Sequence, residues 1–261
     1  MISPQYTDNI IQLFNGDCLN VMDKLPEKSV KTIFADPPYF LSNGGISCKA
    51  GKMVSVNKGA WDKSKGHDED FNFTMQWLDA CRRVLHDDGT IWITGTHHNI
   101  YKVGFALESL GYDILNEIVW FKPNGPPNLA CRYFAHSHET VLWARKSKTS
   151  RHAFNYQVMK NWDVSKDKIN NLGKQMRSVW AIPLTPPEEK ANGKHPTQKP
   201  LELLKRIIAS STNQGDLVLD PFNGSGTTGV AAKMLGRRYI GIEKEQEFID
   251  VTINRLNNLK N

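Results

Sequence analysis

Residues 34–40 read FADPPYF, so a carboxylate, two prolines and an aromatic ring follow directly on an apolar run. Proline holds φ near −65°, which sets the backbone around Asp36 before any ligand arrives. A carboxylate held that stiffly accepts hydrogen bonds in a fixed direction, and Tyr39 beside it can offer the face of a ring. Taken alone, the tetrapeptide is also what an ordinary turn looks like.

A second stretch narrows the chemistry. Residues 217–228, LVLDPFNGSGTT, run strand, acid, glycine-rich turn and helix. Gly224 and Gly226 allow backbone to come close to a ligand, and the following helix offers free N–H groups at its start. The next apolar run ends at Glu243, about 20 residues further on, where a carboxylate can accept hydrogen bonds from ribose hydroxyls. Residues 224–229, GSGTTG, have GxGxxG spacing, but no Walker lysine follows. The stretch reads as a turn for a nucleoside cofactor without a pyrophosphate, although a tight strand-to-helix connection would use the same glycines.

These groups need a frame, and the sequence supplies one. Residues 10–17, 32–36, 90–95, 114–122, 140–144, 217–220 and 239–243 are short runs rich in Val, Ile, Leu and aromatics, bounded by Gly, Pro, Asp or Asn, and read as buried strands. Apolar residues spaced at three and four predict helices over 73–85, 100–110, 200–211 and 227–235. Strand and helix in alternation imply an α/β fold with a mostly parallel sheet and helices on both faces. In such sheets ligands bind beyond the carboxyl ends of the strands, where several of these runs end in Asp or Glu. Residues 41–70 read as a long loop leaving the Asp-Pro-Pro-Tyr turn. Residues 124–192, with NGPPN and a proline-rich end, read as an insertion in a single 1–261 domain.

The 261 residues suffice for one such domain with a substantial core. No apolar run approaches the roughly 20 residues of a membrane span, and the first ten residues lack the basic and apolar parts of a signal peptide, so a cytoplasmic location is expected. Cys18, Cys48, Cys81 and Cys131 form no CxxC pair, which leaves them as expected free thiols. The net charge of +6 is concentrated: nine Lys/Arg against two acids lie between Arg145 and Arg177, leaving 24 basic and 25 acidic groups elsewhere. Arg145, Lys146, Lys148, Arg151, Lys160, Lys174 and Arg177, interleaved with His152, Phe154, Tyr156, Trp162 and Trp180, suit contacts with phosphates and bases. A solvated surface loop would have the same composition.

The motifs together resemble a known family. DPFNGSGTT resembles the FxGxG cofactor motif of the S-adenosylmethionine-dependent amino-methyltransferases of DNA, and Asp36-Pro37-Pro38-Tyr39 matches their (D/N/S)PP(Y/F) catalytic motif. The order is catalytic motif, basic region, His195-Pro196-Thr197-Gln198-Lys199-Pro200, then FxGxG. It resembles the circularly permuted β class and covers nearly the whole chain.

The resemblance implies a Rossmann-like, seven-stranded methyltransferase sheet with an inserted DNA recognition region. Asp220, Phe222, Gly224, Ser225, Gly226 and Thr227 would wrap the methionine part of the cofactor, and Glu243 would hold its ribose. Asp17 and Cys18 would lie near its adenine, with a local turn cap as the other reading of Asp17. His195, Thr197, Gln198 and Lys199 would close over the cofactor, unless Lys199 is only a solvated helix entry. Asp36 and the Pro37 carbonyl would accept the two N–H bonds of an exocyclic amine, aiming its lone pair at the methyl and stabilising the cation that forms. Tyr39 would stack on the target base, which must leave the duplex to be reached. The implied activity is N6-adenine methylation of duplex DNA within a restriction-modification system, with cytosine N4 as the alternative. Homodimers occur in this class.

Other residues carry less. His97 and His98 follow a strand end and could line the cleft, though neighbouring histidines in a loop also read as polar surface. The run His136 to Glu139 lacks HExxH helical spacing, so no metal is expected. Trp61 and Asp62 could close the site or anchor the long loop.

Overall fold

A computed structural model of the chain describes residues 3–42, 46–49, 52–55, 59, 62–129, 131–191, 193 and 195–259. The described strands are β1 (Tyr6–Thr7), β2 (Ile11–Asn15), β3 (Val30–Ala35), β4 (Ile46–Lys49), β5 (Lys52–Ser55), β6 (Leu85–Gly95), β7 (Asp113–Phe121), β8 (His138–Arg145), β9 (Val179–Ala181), β10 (Leu217–Asp220) and β11 (Arg238–Glu243). The helices are α1 (Cys18–Met22), α2 (His67–Val84), α3 (Ile100–Ser109), α4 (Tyr156–Lys160), α5 (Leu201–Ser211), α6 (Thr227–Met234) and α7 (Gln246–Asn257).

Nine strands form one sheet in the order β1-β2-β11-β10-β3-β6-β8-β7-β9. The five neighbours from β2 to β6 are parallel, and β8 is antiparallel to both β6 and β7. The expected count of seven is corrected to nine by the edge strands β1 and β9, of two and three residues, too short to show a periodicity. The seven remaining strands each overlap one of the seven runs predicted, with β6 starting five residues before its run.

Side chains alternate across the sheet with the period of two that strands impose. Ile33, Ala35, Ile91, Ile93 and Leu219 pack toward α1, α2 and α3, while Phe34, Trp92 and Val218 pack toward α5, α6 and α7. Trp92 and Trp143, paired across β6 and β8, stack with ring centroids 4.7 Å apart. Each face thus has its own apolar layer, which fixes the height at which every strand ends.

Three further features differ from the sequence reading. Helix α2 starts at His67, six residues early, because its first turn is the polar run Asp68, Glu69 and Asp70, favourable at a helix N-terminus but without apolar period. Within 41–70, β4 and β5 pair as an antiparallel hairpin. Residues 124–192 contribute β8 and β9 to the central sheet, so two of its strands come from the stretch read as an insertion.

Candidate active site

Four adjacent parallel strands each deliver an acid at the carboxyl edge: Asp17 after β2, Glu243 ending β11, Asp220 ending β10 and Asp36 after β3. They line one cleft of about 580 Å³ together with Cys18, His195, Thr197, Gln198, Lys199, Phe222, Gly224, Ser225 and Thr227. All predicted cofactor residues except Gly226 reach its wall. Pro38 and Phe40 also line it, whereas Pro37 and Tyr39 do not.

The glycine turn is shaped from behind. Gly224 and Gly226 adopt φ of 51° and 75°, a region that side chains disfavour. A Cβ on Gly226 would stand 2.3 Å from Thr252 Cγ2. Glu243 accepts from Gly224 N–H at 2.7 Å and Glu245 N–H at 2.9 Å, and burial pushes its carboxyl up. Asp220 accepts from Phe222 N–H and the Thr228 hydroxyl, and burial pushes it up to about 7. Arg255, which the sequence did not single out, donates to Ser225 O, Ser225 Oγ and Thr227 Oγ1, so these hydroxyls brace the turn. Asn223 likewise donates to Gly224 O and Thr252 Oγ1.

The other walls are similarly built. Asp17 caps α1 by accepting from Leu19 and Asn20 N–H, the local reading of that acid, while still lining the cleft. Burial raises the Cys18 thiol to about 12, which keeps it neutral. The His195 ring meets Phe248 edge to face at 4.3 Å, and its Nδ1 accepts from Thr197 N–H. Gln198 Oε1 is a buried acceptor with no partner. An orphaned acceptor among acids suits the amine and hydroxyl donors of a nucleoside carrying an ammonium.

Asp36 is more enclosed than expected. Its Oδ1 accepts from Thr94 Oγ1 at 2.6 Å and the Tyr39 hydroxyl at 2.8 Å, and its Oδ2 meets Lys199 Nζ at 2.5 Å. The Tyr39 hydroxyl also lies 3.1 Å from Glu139, which pairs with Lys122. Tyr39 is therefore turned inward and only 7% exposed, rather than presented for stacking. Lys199 faces Asp36 instead of serving only as a cofactor contact. Asp62, fully buried, accepts from Tyr39, Phe40 and Leu41 N–H and the Ser42 hydroxyl, which pins the turn and the left-handed Phe40, φ 57°. Trp61 lies outside the described residues.

The basic stretch lies elsewhere. Arg145 is opposite Thr90, well back along β6 from Gly95, and pairs with Asp113. Lys146 is buried against Leu85 O and Asp87, and Arg151 N–H bonds Asp88, all at the amino edge of β6. Lys148, Lys174 and Arg177 are exposed and Lys160 half-buried. None of the seven lines the cleft.

A mostly parallel sheet with β8 and the edge strand β1 reversed, acids on four successive strand ends and a braced glycine turn between them define a Rossmann-like methyltransferase. Solved structures agree: the chain superposes on the M1.HpyAVI–SAM complex with a TM-score of 0.69 at 29% identity, covering 95% of this chain and 100% of that one. It matches the fold of PvuII DNA methyltransferase (cytosine-N4-specific) with a TM-score of 0.76 at 20% identity, covering 99% and 91%. A family model described as DNA methylase, of the N6 and N4 methyltransferases, matches residues 30–254, and the chain belongs to that family. It is 52% identical to Type II methyltransferase M2.DpnII of Streptococcus pneumoniae over 98% of this chain and 93% of the relative. With Type II methyltransferase M2.MboI of Moraxella bovis the identity is 49% over 95% and 88%.

Proposed function

We propose that the chain uses S-adenosylmethionine to methylate the N6 amine of adenine at a specific sequence in duplex DNA, as the modification component of a restriction-modification system in the cytoplasm. The observation that carries this reading is the Asp36 carboxylate, fixed by Thr94 and Lys199 on the wall of the same cleft as the Gly224 turn and Glu243. M2.DpnII and M2.MboI are named Type II methyltransferases, and M1.HpyAVI is seen with the same cofactor.

The cofactor supplies a methyl group on a cationic sulfur. In this reading Glu243 takes the ribose hydroxyls, Asp220 and the 224–227 turn take the methionine end, and Asp17 and Cys18 take the adenine; their common position on the cleft wall supports it. Gln198 Oε1 gives one more acceptor. An exocyclic amine is a poor nucleophile because its lone pair is delocalised into the ring. Asp36 accepts one of its N–H bonds and the Pro37 carbonyl the other, which turns the lone pair toward the methyl. As nitrogen gains the methyl it gains positive charge, and a fixed carboxylate stabilises that charge more than it does the ground state. Asp36 thus steers and stabilises; it need not take the proton that the nitrogen finally sheds. The amine displaces one donor now on Asp36, either Tyr39 or Lys199, each of which has Glu139 as a second acceptor.

Homodimerisation is part of the same reading. Tyr101 and Phe105, one turn apart on α3, are 75% and 64% exposed and give an apolar face to a second copy, which sedimentation would detect. Among the described residues no helix is long and apolar enough to cross a membrane, and no cluster of His, Cys, Asp and Glu is arranged for a metal.

The test is transfer of labelled methyl from S-adenosylmethionine to unmethylated plasmid, followed by digestion to nucleosides. Label in N6-methyladenine, at one sequence on mapping, is expected. Label in N4-methylcytosine would overturn the adenine assignment, and unlabelled DNA the whole reading.

A further inference from the structure

The connection between β7 and β8 rises from the sheet beside Asp36. Its base is fixed at the catalytic edge: Lys122 N–H donates to Ser137 O at 2.7 Å, Lys122 pairs with Glu139, and Glu139 receives the Tyr39 hydroxyl. The described residues at its far end, 131–136, are all exposed, with Tyr133 at 61% and Phe134 at 97%. The tip is nevertheless shaped. Cys131 takes φ 52°, its N–H donates to Asn128 O, and Asn128 Nδ2 donates to Tyr133 O at 2.6 Å.

Behind the tip the His136 ring stacks on His97 at 4.7 Å, three residues past the Thr94 that holds Asp36. Residues 123–138 contain Arg132, His136 and His138 and no acid. An apolar point in an acid-free, cation-bearing setting complements a duplex, whose outside is phosphate and whose inside is stacked rings. A base drawn out toward Asp36 leaves a gap between two such rings. An aromatic side chain entering that gap regains stacking that the departing base gave up, and loses the water around its own faces.

We propose that Phe134, with Tyr133 beside it, enters the duplex next to the target adenine and holds open the space that the base leaves. This inference rests on the DNA-methyltransferase reading above. It puts the contact that opens the helix on the β7–β8 connection and not on the basic stretch from Arg145 to Arg177.

The experiment compares the full chain with its Phe134→Ala and Phe134→Trp variants on two duplexes carrying the mapped sequence. In one the base opposite the target adenine is present; in the other that position is abasic, so the adenine is already unpaired. Phe134→Ala is expected to lose about tenfold or more in kcat/KM on the intact duplex and less than about threefold on the abasic one, since only the first must be opened. Phe134→Trp keeps activity on both. Equal loss on the two duplexes, or none on the intact one, overturns the proposal, and equal loss with a changed sedimentation coefficient assigns the patch to a second copy of the chain. A wild-type protein that methylates neither duplex overturns the underlying reading instead.

Discussion

The Lys199 ammonium lies 2.5 Å from Asp36 Oδ2 and 3.7 Å from Glu139 Oε2, one buried cation between two carboxylates. Burial pulls its pKa down, but Asp36 and Glu139 outweigh that and the net shift is upward. Glu139 shows the mirror case: burial pushes it up, Lys199 and Lys122 outweigh burial, and it ends below the ordinary glutamate value. The stabilisation from Lys199 is therefore full below the ordinary lysine range and lost as pH rises through its folded value. That from Glu139 is present above the ordinary glutamate range and lost as pH falls through its folded value.

Removing the shared cation leaves two carboxylates facing each other with Lys122 alone to balance them. Lys199→Met is expected to lower kcat about a hundredfold, as for other groups that organise a charge-stabilising site. Breaking a buried pair on one side also costs about 3–5 kcal/mol of stability. Calorimetric titration should show cofactor affinity changing far less than kcat. A Kd that weakens as much as kcat falls would return Lys199 to the cofactor contact expected from the sequence.

Tyr39 offers a sharper contrast between ring and hydroxyl. A single phenolic proton can serve Asp36 or Glu139 but not both, so the hydroxyl is the link through which Asp36 can be released to a substrate amine. Tyr39→Phe keeps the ring and deletes the link. Its kcat should fall about five- to tenfold, the size of one hydrogen bond of about 1 kcal/mol, with the KM for DNA unchanged. Undiminished turnover would mean that the ring alone matters.

The four acids on the strand ends are legible in the sequence because each closes an apolar run, and strand geometry carries all four to one edge without any knowledge of packing. Thr94, Glu139 and Asp62 are not legible in the same way. Glu139 reaches Tyr39 across 100 residues of chain, and only the order of β3, β6, β8 and β7 brings them together. Asp62 stands in a stretch without periodicity, and its carboxylate is recognisable as a clamp only once the 39–42 backbone is seen to turn around it. For the basic stretch, charge counted along the chain does not tell where it lies, since β8 runs antiparallel and carries Arg145 away from the cleft. Helix α7 was unread because polar and charged residues separate its few buried positions.

Gly226 tests the braced turn. Its φ of 75° costs a side chain about 1–2 kcal/mol, and its Cβ would overlap Thr252, which also bonds Gly224 O. Overpacking at such a point adds about 1–3 kcal/mol. Gly226→Ala should therefore lower the melting temperature and weaken cofactor binding together, measured by thermal denaturation and by titration calorimetry. An unchanged Kd at a lowered melting temperature would show that the turn's backbone does not meet the cofactor.

Asp220 makes a prediction in pH. Burial, aided by Asp36 and Glu243 nearby, holds its carboxyl at about 7, against the Thr228 hydroxyl and Phe222 N–H that favour the anion. An aspartate in the unfolded chain has lost its proton above about pH 4. Between about pH 4 and about pH 7 the folded protein therefore holds one proton more than the unfolded one, so this group's contribution to stability falls as pH rises through that window and levels off above it. Asp220→Asn has no proton to lose, keeps an acceptor for Phe222 N–H, and meets a Thr228 hydroxyl that can turn to accept. Thermal melts without cofactor should show the variant gaining on the wild type as pH is raised from about 5 to about 7, with a constant gap beyond. A gap of one size at every pH would mean that Asp220 is ionised in the folded protein throughout.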